Sequence, residues 1–269
     1  MLPAGEEAVR TSAEPATAVL PILTYHSLDD SDSVISVSPR RFAEQVRALH
    51  ASGARVLRLG DAVELLNRGA LPARSLAITF DDGFASVHAE ALPVLREYGF
   101  PATLFLVTDY CGRDNGWPTQ PATMPRLPLL DWRRIGELCT AGWEIGSHTR
   151  SHPELTALAA DEAEEEMATS KRVLEDRLQQ AVHCFAYPYG CYDDRTRALV
   201  ARHFPVACSA ILGFAHADSD RSALPRLDAH YLRGSWAMAR LFSMELRAYL
   251  AVRRIGRALR RRLCSERPR

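Results

Sequence analysis

Short apolar runs alternate along the chain with amphipathic stretches. Val19–Tyr25 (VLPILTY), Ser75–Phe80 (SLAITF), Ala102–Val107 (ATLFLV) and Val182–Ala186 (VHCFA) are almost wholly apolar and too short for helices. They read as buried strands. Trp143–Gly146 (WEIG), 205–209 and 224–228 are three further strand candidates. Helical patterns fill the gaps. Ser38-Pro39 opens one, because Ser accepts from free amides and Pro fits a first turn. Phe42, Val46 and Leu49 share its inner face and Gly53 ends it. Helices are also predicted over Asp61–Arg68, Ala85–Tyr98, Asp131–Ala141, Leu155–Gln180, about 193–203 and 235–263. Residues 109–130 hold four Pro and two Gly and form a long irregular loop. In a compact domain such a loop is more often functional than idle.

Strands alternating with helices imply a parallel sheet, open or closed into a barrel, with chemistry gathered at the carboxyl ends of the strands. Three polar clusters fall there: Asp81-Asp82-Gly83, His148 to His152, and Tyr187-Pro188-Tyr189-Gly190. Imidazoles at i and i+4 lie on one face of a helical turn, a spacing suited to two ligands of one metal. Adjacent carboxylates behind a buried strand repel unless one holds a cation. A His2Asp set with open positions is a common catalytic metal site, and the second Asp is then free to take a proton from water.

Thr79-Phe80-Asp81-Asp82-Gly83, Ser147-His148-Thr149-Arg150-Ser151-His152 and Phe185-Ala186-Tyr187-Pro188-Tyr189-Gly190 occur in that order. They resemble motifs one, two and three of the polysaccharide deacetylases, the NodB-type carbohydrate esterase family 4. Thr24-Tyr25-His26, followed by Ser38-Pro39 and Phe42, resembles the subgroup acting on bacterial poly-N-acetylglucosamine and related exopolysaccharides. The resemblance implies an α/β fold, the distorted (β/α)7 barrel. It implies a hydrolase that removes N-acetyl groups from amino sugars of a bacterial glycan or glycan precursor. Asp82, His148 and His152 would hold one divalent metal, Zn2+ first, with Co2+, Ni2+ or Fe2+ also acceptable to such a set. Asp81 would be the base for the attacking metal-bound water, and the backbone N–H of Tyr189 would help stabilise the oxyanion. Tyr187, Pro188 and Tyr189 would wall the sugar pocket, with His26 near its mouth.

Two departures stand out. Many family members carry an Arg, paired with the catalytic Asp, where this chain has Ala186. Arg226 is the expected replacement. The general acid is expected at His230, oriented by Asp228, with His26 as a second candidate. An O-acetyl esterase, a hydrolase of a small cyclic amide and a glycan-binding pseudoenzyme are the competing readings.

Composition adds limits. With 269 residues, 47% hydrophobic and 25% charged, the chain can bury a sizeable core. Basic and acidic residues number 33 each, so nothing points to nucleic acid. The balance is uneven, because residues 247–269 hold nine Arg and one Glu. That tail reads as a basic amphipathic helix that meets a membrane surface or packs on the acidic body. If it met a membrane, a lipid-linked glycan would be the partner. Three segments are expected: a leader over 1–18, a catalytic domain over 19–234 and the helical tail over 235–269. The leader has no apolar core, so it is not read as a secretory signal and a cytoplasmic location is expected, with peripheral contact to the inner membrane face as the variant. The six Cys form no CxxC pair and read as free thiols. Trp117 is a candidate for stacking on sugar rings. Asp161–Glu166 reads as a solvated acidic face.

Overall fold

The computed structural model describes residues 18–253 except 32, 233 and 234. Seven parallel strands form the barrel: β1 (Ile22–Tyr25), β2 (Ser75–Phe80), β3 (Thr103–Leu106), β4 (Glu144–Ser147), β5 (Cys184–Ala186), β6 (Val206–Leu212) and β7 (Leu224–Asp228). Each pairs with the next, and β1 pairs with both β7 and β2, which closes the ring. The expected (β/α)7 barrel is therefore present.

Alternate residues of each strand face opposite sides. Leu76, Ile78, Leu104 and Phe185 join the large cluster under the helices. Ala77, Phe105, Cys184, Ala186 and Cys208 fill the smaller interior cluster. Helices pack around the barrel, among them α1 (Pro39–Ala51), α2 (Leu59–Asn67), α3 (Leu92–Glu97), α4 (Trp132–Thr140), α5 (Ala160–Leu178), α6 (Asp194–His203) and α7 (Ser235–Ala239). Ser38 caps α1 by accepting from the Arg41 N–H, as predicted. The start of α2 lies at the amino ends of β3 and β4. Leu59 N–H donates to Thr103 Oγ1 and Gly60 N–H to Glu144 Oε2. That plugs the amino end and leaves the carboxyl end for chemistry.

Several elements differ from the sequence reading. The first apolar run is broken at Pro21, and Val19–Leu20 pairs antiparallel with Ala215–His216 outside the barrel. A three-residue strand, Arg55–Leu57, follows α1. Ala77 pairs with both Ile22 and Leu57, and Thr79 with both Thr24 and Thr103, so this strand precedes β3 along the same edge of β2. Only its central residue is buried, so it leaves no apolar run. The helix predicted over 85–98 begins as a π-helical turn, Val87–Ala91. Pro93 has no N–H to return to the preceding turn. Residues 155–180 divide into a 3-10 turn at Leu155–Ala157 and α5. The predicted helix over 235–263 is broken as well: α7 ends at Ala239 and a second helix covers 244–253. Leu246 and Leu250 of that second helix are buried in the main cluster, so the start of the tail packs on the body. Residues 1–17 and 254–269, which hold most of the predicted leader and basic tail, lie outside the described residues. No helix among the described residues is long and apolar enough to cross a membrane. Cys111, Cys139, Cys184 and Cys208 are free thiols, as predicted.

Candidate active site

β2 is buried along its whole length and delivers Asp81 and Asp82 to the carboxyl end of the barrel. The chain then turns sharply: Asp82 and Gly83 both have positive φ, and the Gly83 N–H donates to the Asp81 carbonyl at 2.8 Å. A Cβ at Gly83 would sit 2.7 Å from the Leu106 side chain, so this turn needs glycine. The two carboxylates then part company.

Asp81 faces Arg226 of β7. Nη1 donates to Oδ1 at 2.8 Å and Nη2 to Oδ2 at 2.7 Å, with both side chains buried. The guanidinium is itself held by the Ser209 carbonyl and by Thr79 Oγ1. Burial pushes the Asp81 carboxyl up, but the Arg226 charge and hydrogen bonds outweigh it and leave the pKa below the usual range. Arg226 thus occupies the place expected for the guanidinium that Ala186 cannot supply.

Asp82 faces His148 and His152. Their ligand atoms lie within 4.8 Å of one another and all three residues are buried. Both Nε2 atoms are 3.3 Å from Asp82 Oδ1, yet that buried oxygen accepts no hydrogen bond. His148 Nδ1 is 2.7 Å from the Ala186 carbonyl. A carbonyl only accepts, so Nδ1 carries the proton and the Nε2 lone pair is turned toward Asp82. An orphaned carboxylate oxygen facing imidazole nitrogens fits a divalent cation. Burial pushes Asp82 up, but the two imidazoles outweigh it and the pKa falls. For His148 the neighbouring carboxylates overcome burial and raise the pKa, whereas for His152 burial wins and lowers it. A proton and a cation compete for the same nitrogen.

The histidines do not share a helical turn, as the i, i+4 spacing suggested. They sit on an irregular loop after β4 in which Thr149 and His152 have φ of 70° and 62°. Of the six non-glycine residues with positive φ in the described chain, four are Asp82, Thr149, His152 and Tyr189. Such conformations cost about 1–3 kcal/mol each and collect at functional sites. Glu166 of α5 holds the loop. It is buried and accepts from the backbone N–H of Arg150 at 3.0 Å, and from the N–H and hydroxyl of Ser151 at 2.8 and 2.7 Å. The solvated-face reading of this acid is therefore corrected. The signal was legible: Glu166 falls among Ala163, Met167, Ser170 and Leu174 on the buried stripe of α5.

These groups form the floor of a cavity of about 350 Å3. Tyr187 and Tyr189 wall it, and Tyr187 is anchored by donating to the Ser222 carbonyl at 2.8 Å. His26 also lines it, with Nε2 3.8 Å from Asp81 Oδ2. Two expected residues stand elsewhere. Pro188 is buried in the turn Pro188–Gly190 and does not line the cavity. His230 faces a separate cavity beside Arg41 and Asp29, and its Nδ1 lies 3.0 Å from the Ser36 carbonyl. Residue 230 follows the end of β7 by two positions, and the 3-10 turn Ala229–Tyr231 carries it away from the barrel mouth. Trp117 does line the cavity, but it is 3% exposed and packs against the His152 imidazole, with ring centroids 4.2 Å apart.

Residues 68–204 match the family model described as polysaccharide deacetylase. A Bacillus subtilis protein named as a polysaccharide deacetylase, YxkH, is 30% identical over 212 residues, which cover 78% of this chain and 71% of that protein. The poly-beta-1,6-N-acetyl-D-glucosamine N-deacetylase of Staphylococcus epidermidis is 28% identical over 71% of this chain and 67% of its own length. Among solved structures, the Streptococcus pyogenes deacetylase PplD in complex with acetate superposes with a TM-score of 0.70 at 26% identity, covering 79% of this chain and 92% of its own. IcaB from Ammonifex degensii has the same fold, with a TM-score of 0.71 at 24% identity over 82% and 97% of the two chains. With its strand-end motifs assembled around one cavity and half its length matched by the family model, this chain belongs to the polysaccharide deacetylase family.

Proposed function

We propose that the chain is a metal-dependent N-deacetylase acting on N-acetylated amino sugars of a bacterial exopolysaccharide. The orphaned Oδ1 of Asp82 between two imidazole nitrogens carries this reading. A divalent cation held by Asp82, His148 and His152 supplies Lewis-acid chemistry, polarising the acetyl carbonyl and lowering the pKa of a water. Zn2+ suits the donor set.

The chain's own residues do the rest. Asp81, kept ionised and oriented by Arg226, takes a proton from the attacking water. The water oxygen bonds to the carbonyl carbon, and the backbone N–H of Tyr189 donates to the developing oxyanion. The C–N bond then breaks, acetate leaves, and the amine of the sugar takes a proton. His26 is the donor that the geometry favours, since it is the one imidazole lining the cavity that does not face Asp82. Tyr187 and Leu212 flank the sugar, and the apolar rim of Val34 and Met124 leaves room for neighbouring units. The polymer in the Staphylococcus relative's name, poly-β-1,6-N-acetyl-D-glucosamine, is the first substrate to try.

The test is acetate release from N-acetylglucosamine oligomers, with and without chelator and restored Zn2+. Wild type should release acetate only with metal, and Asp81→Asn and His148→Ala should each lose at least about a hundredfold in rate. Release that survives chelation, or that persists in both variants, would reject the proposal. Release from O-acetylated sugars alone would make the enzyme an esterase.

A further inference from the structure

His152 is held in a closed ring of hydrogen bonds that passes through the long loop over 109–130. Thr119 Oγ1 donates to the backbone carbonyl of His152 at 2.8 Å. That direction is forced, because a carbonyl only accepts. The Thr119 oxygen is then free to accept, and Tyr189 Oη donates to it at 2.8 Å. With its proton so committed, Tyr189 Oη accepts from His152 Nδ1 at 3.2 Å. The chain begins and ends on one residue. Its directions leave Nε2 of His152 without a proton, on the side where Asp82 Oδ1 lies 3.3 Å away.

We infer that Thr119 is a positioning residue for metal binding, acting through Tyr189 on the ring of His152 and directly on its backbone. Both ends of the ring need support, since His152 and Tyr189 are held at φ of 62° and 58°. The same loop lines the substrate cavity with Trp117, Gln120, Pro121 and Met124, and it is stapled by buried Asn115, which donates to the Pro125 carbonyl and accepts from the Leu127 N–H. The wall that meets the glycan thus also fixes the tautomer of a metal ligand. Groups that orient a ligating His typically change metal affinity 10–100-fold when removed. Thr119 is itself exposed, so removing its hydroxyl opens no void.

This inference rests on the metal-site reading above, and the experiment separates the two. Binding of Zn2+ alone is measured by competition with a chromophoric chelator, on the full chain. Thr119→Val and Tyr189→Phe should each weaken binding by about 10–100-fold. The double variant should lose less than the sum of the two single losses, because both break the same ring. Thr119→Ser, which keeps the hydroxyl, should bind like wild type. Should Thr119→Val not fold, Tyr189→Phe carries the test, since it opens the ring without touching the loop. Wild-type affinity in the folded single variants, or Ser as weak as Val, would overturn the inference while His152→Ala still loses binding. Undiminished binding in His152→Ala would overturn the metal-site reading with it.

Discussion

Asp81 and Arg226 are each about nine-tenths or more out of water, and their partnership is bidentate. Two buried charges are tolerated only when geometry is good and the remaining donors are used, and here Ser209 and Thr79 take two more. Arg226→Met should therefore leave an uncompensated buried carboxylate and cost about 3–5 kcal/mol in urea unfolding. Arg226→Lys retains the charge but lacks the planar fork that spans both carboxylate oxygens. It should keep the fold while acetate release drops by about a hundredfold through misplacement of Asp81. This residue was legible in the sequence because Ala186 left a gap that some late strand had to fill. His230 was misplaced for the opposite reason: nearness to a strand end in sequence does not say which way a turn carries the next two residues. Thr119 left no signal at all, since its partner is the backbone of a residue 33 positions away.

At the scale of elements, the strands that carry the site were readable, because burial on both faces makes β2 and β3 continuous apolar runs. Connections were less so. The i, i+4 histidines imitate a helix, but their loop is shaped by left-handed residues, which have no hydrophobic period, and by Glu166, which only its place on the buried stripe of α5 marks. Helix caps are a case where local sequence suffices. Asp193 caps α6 by accepting from the Thr196 N–H at 2.7 Å, and that bond holds its carboxyl below the usual range. Asp193→Ala should cost about 1 kcal/mol near neutral pH. Because the folded-state pKa is depressed, this stabilisation is present above the unfolded value of about 3.9 and is lost as pH falls through the folded value. Wild type and variant should thus differ in thermal unfolding at pH 6–7 and converge in acid. A difference that grew as pH fell would contradict the cap's role.

Across the whole molecule, closure brings distant segments together. β1 joins β7 to β2, so Asp81 meets a guanidinium 145 positions later. No hydrophobic period links positions so far apart; the departure at Ala186 pointed to the pairing, and the motif order pointed to the barrel. A cation bound only by the folded barrel should stabilise it by mass action, about 2.7 kcal/mol at a hundredfold excess over Kd. For a chain of this size each kcal/mol corresponds to roughly 2–4 °C. Zn2+ should raise the melting temperature of wild type by several degrees and leave His148→Ala unmoved; an equal rise in both would mean that the ion binds elsewhere.

The position of Arg226 on the seventh strand also sets a schedule. Translation delivers Asp82, His148 and His152 well before Leu224–Asp228 leaves the ribosome. A nascent chain paused short of that strand would hold the cation ligands but no counter-charge for Asp81, and no neighbour for the free edge of β1. The residues proposed to hold the cation and the guanidinium that pairs with Asp81 are thus written into different stretches of the message, and with Asp81 as the proposed base, activity would wait for the final barrel strand.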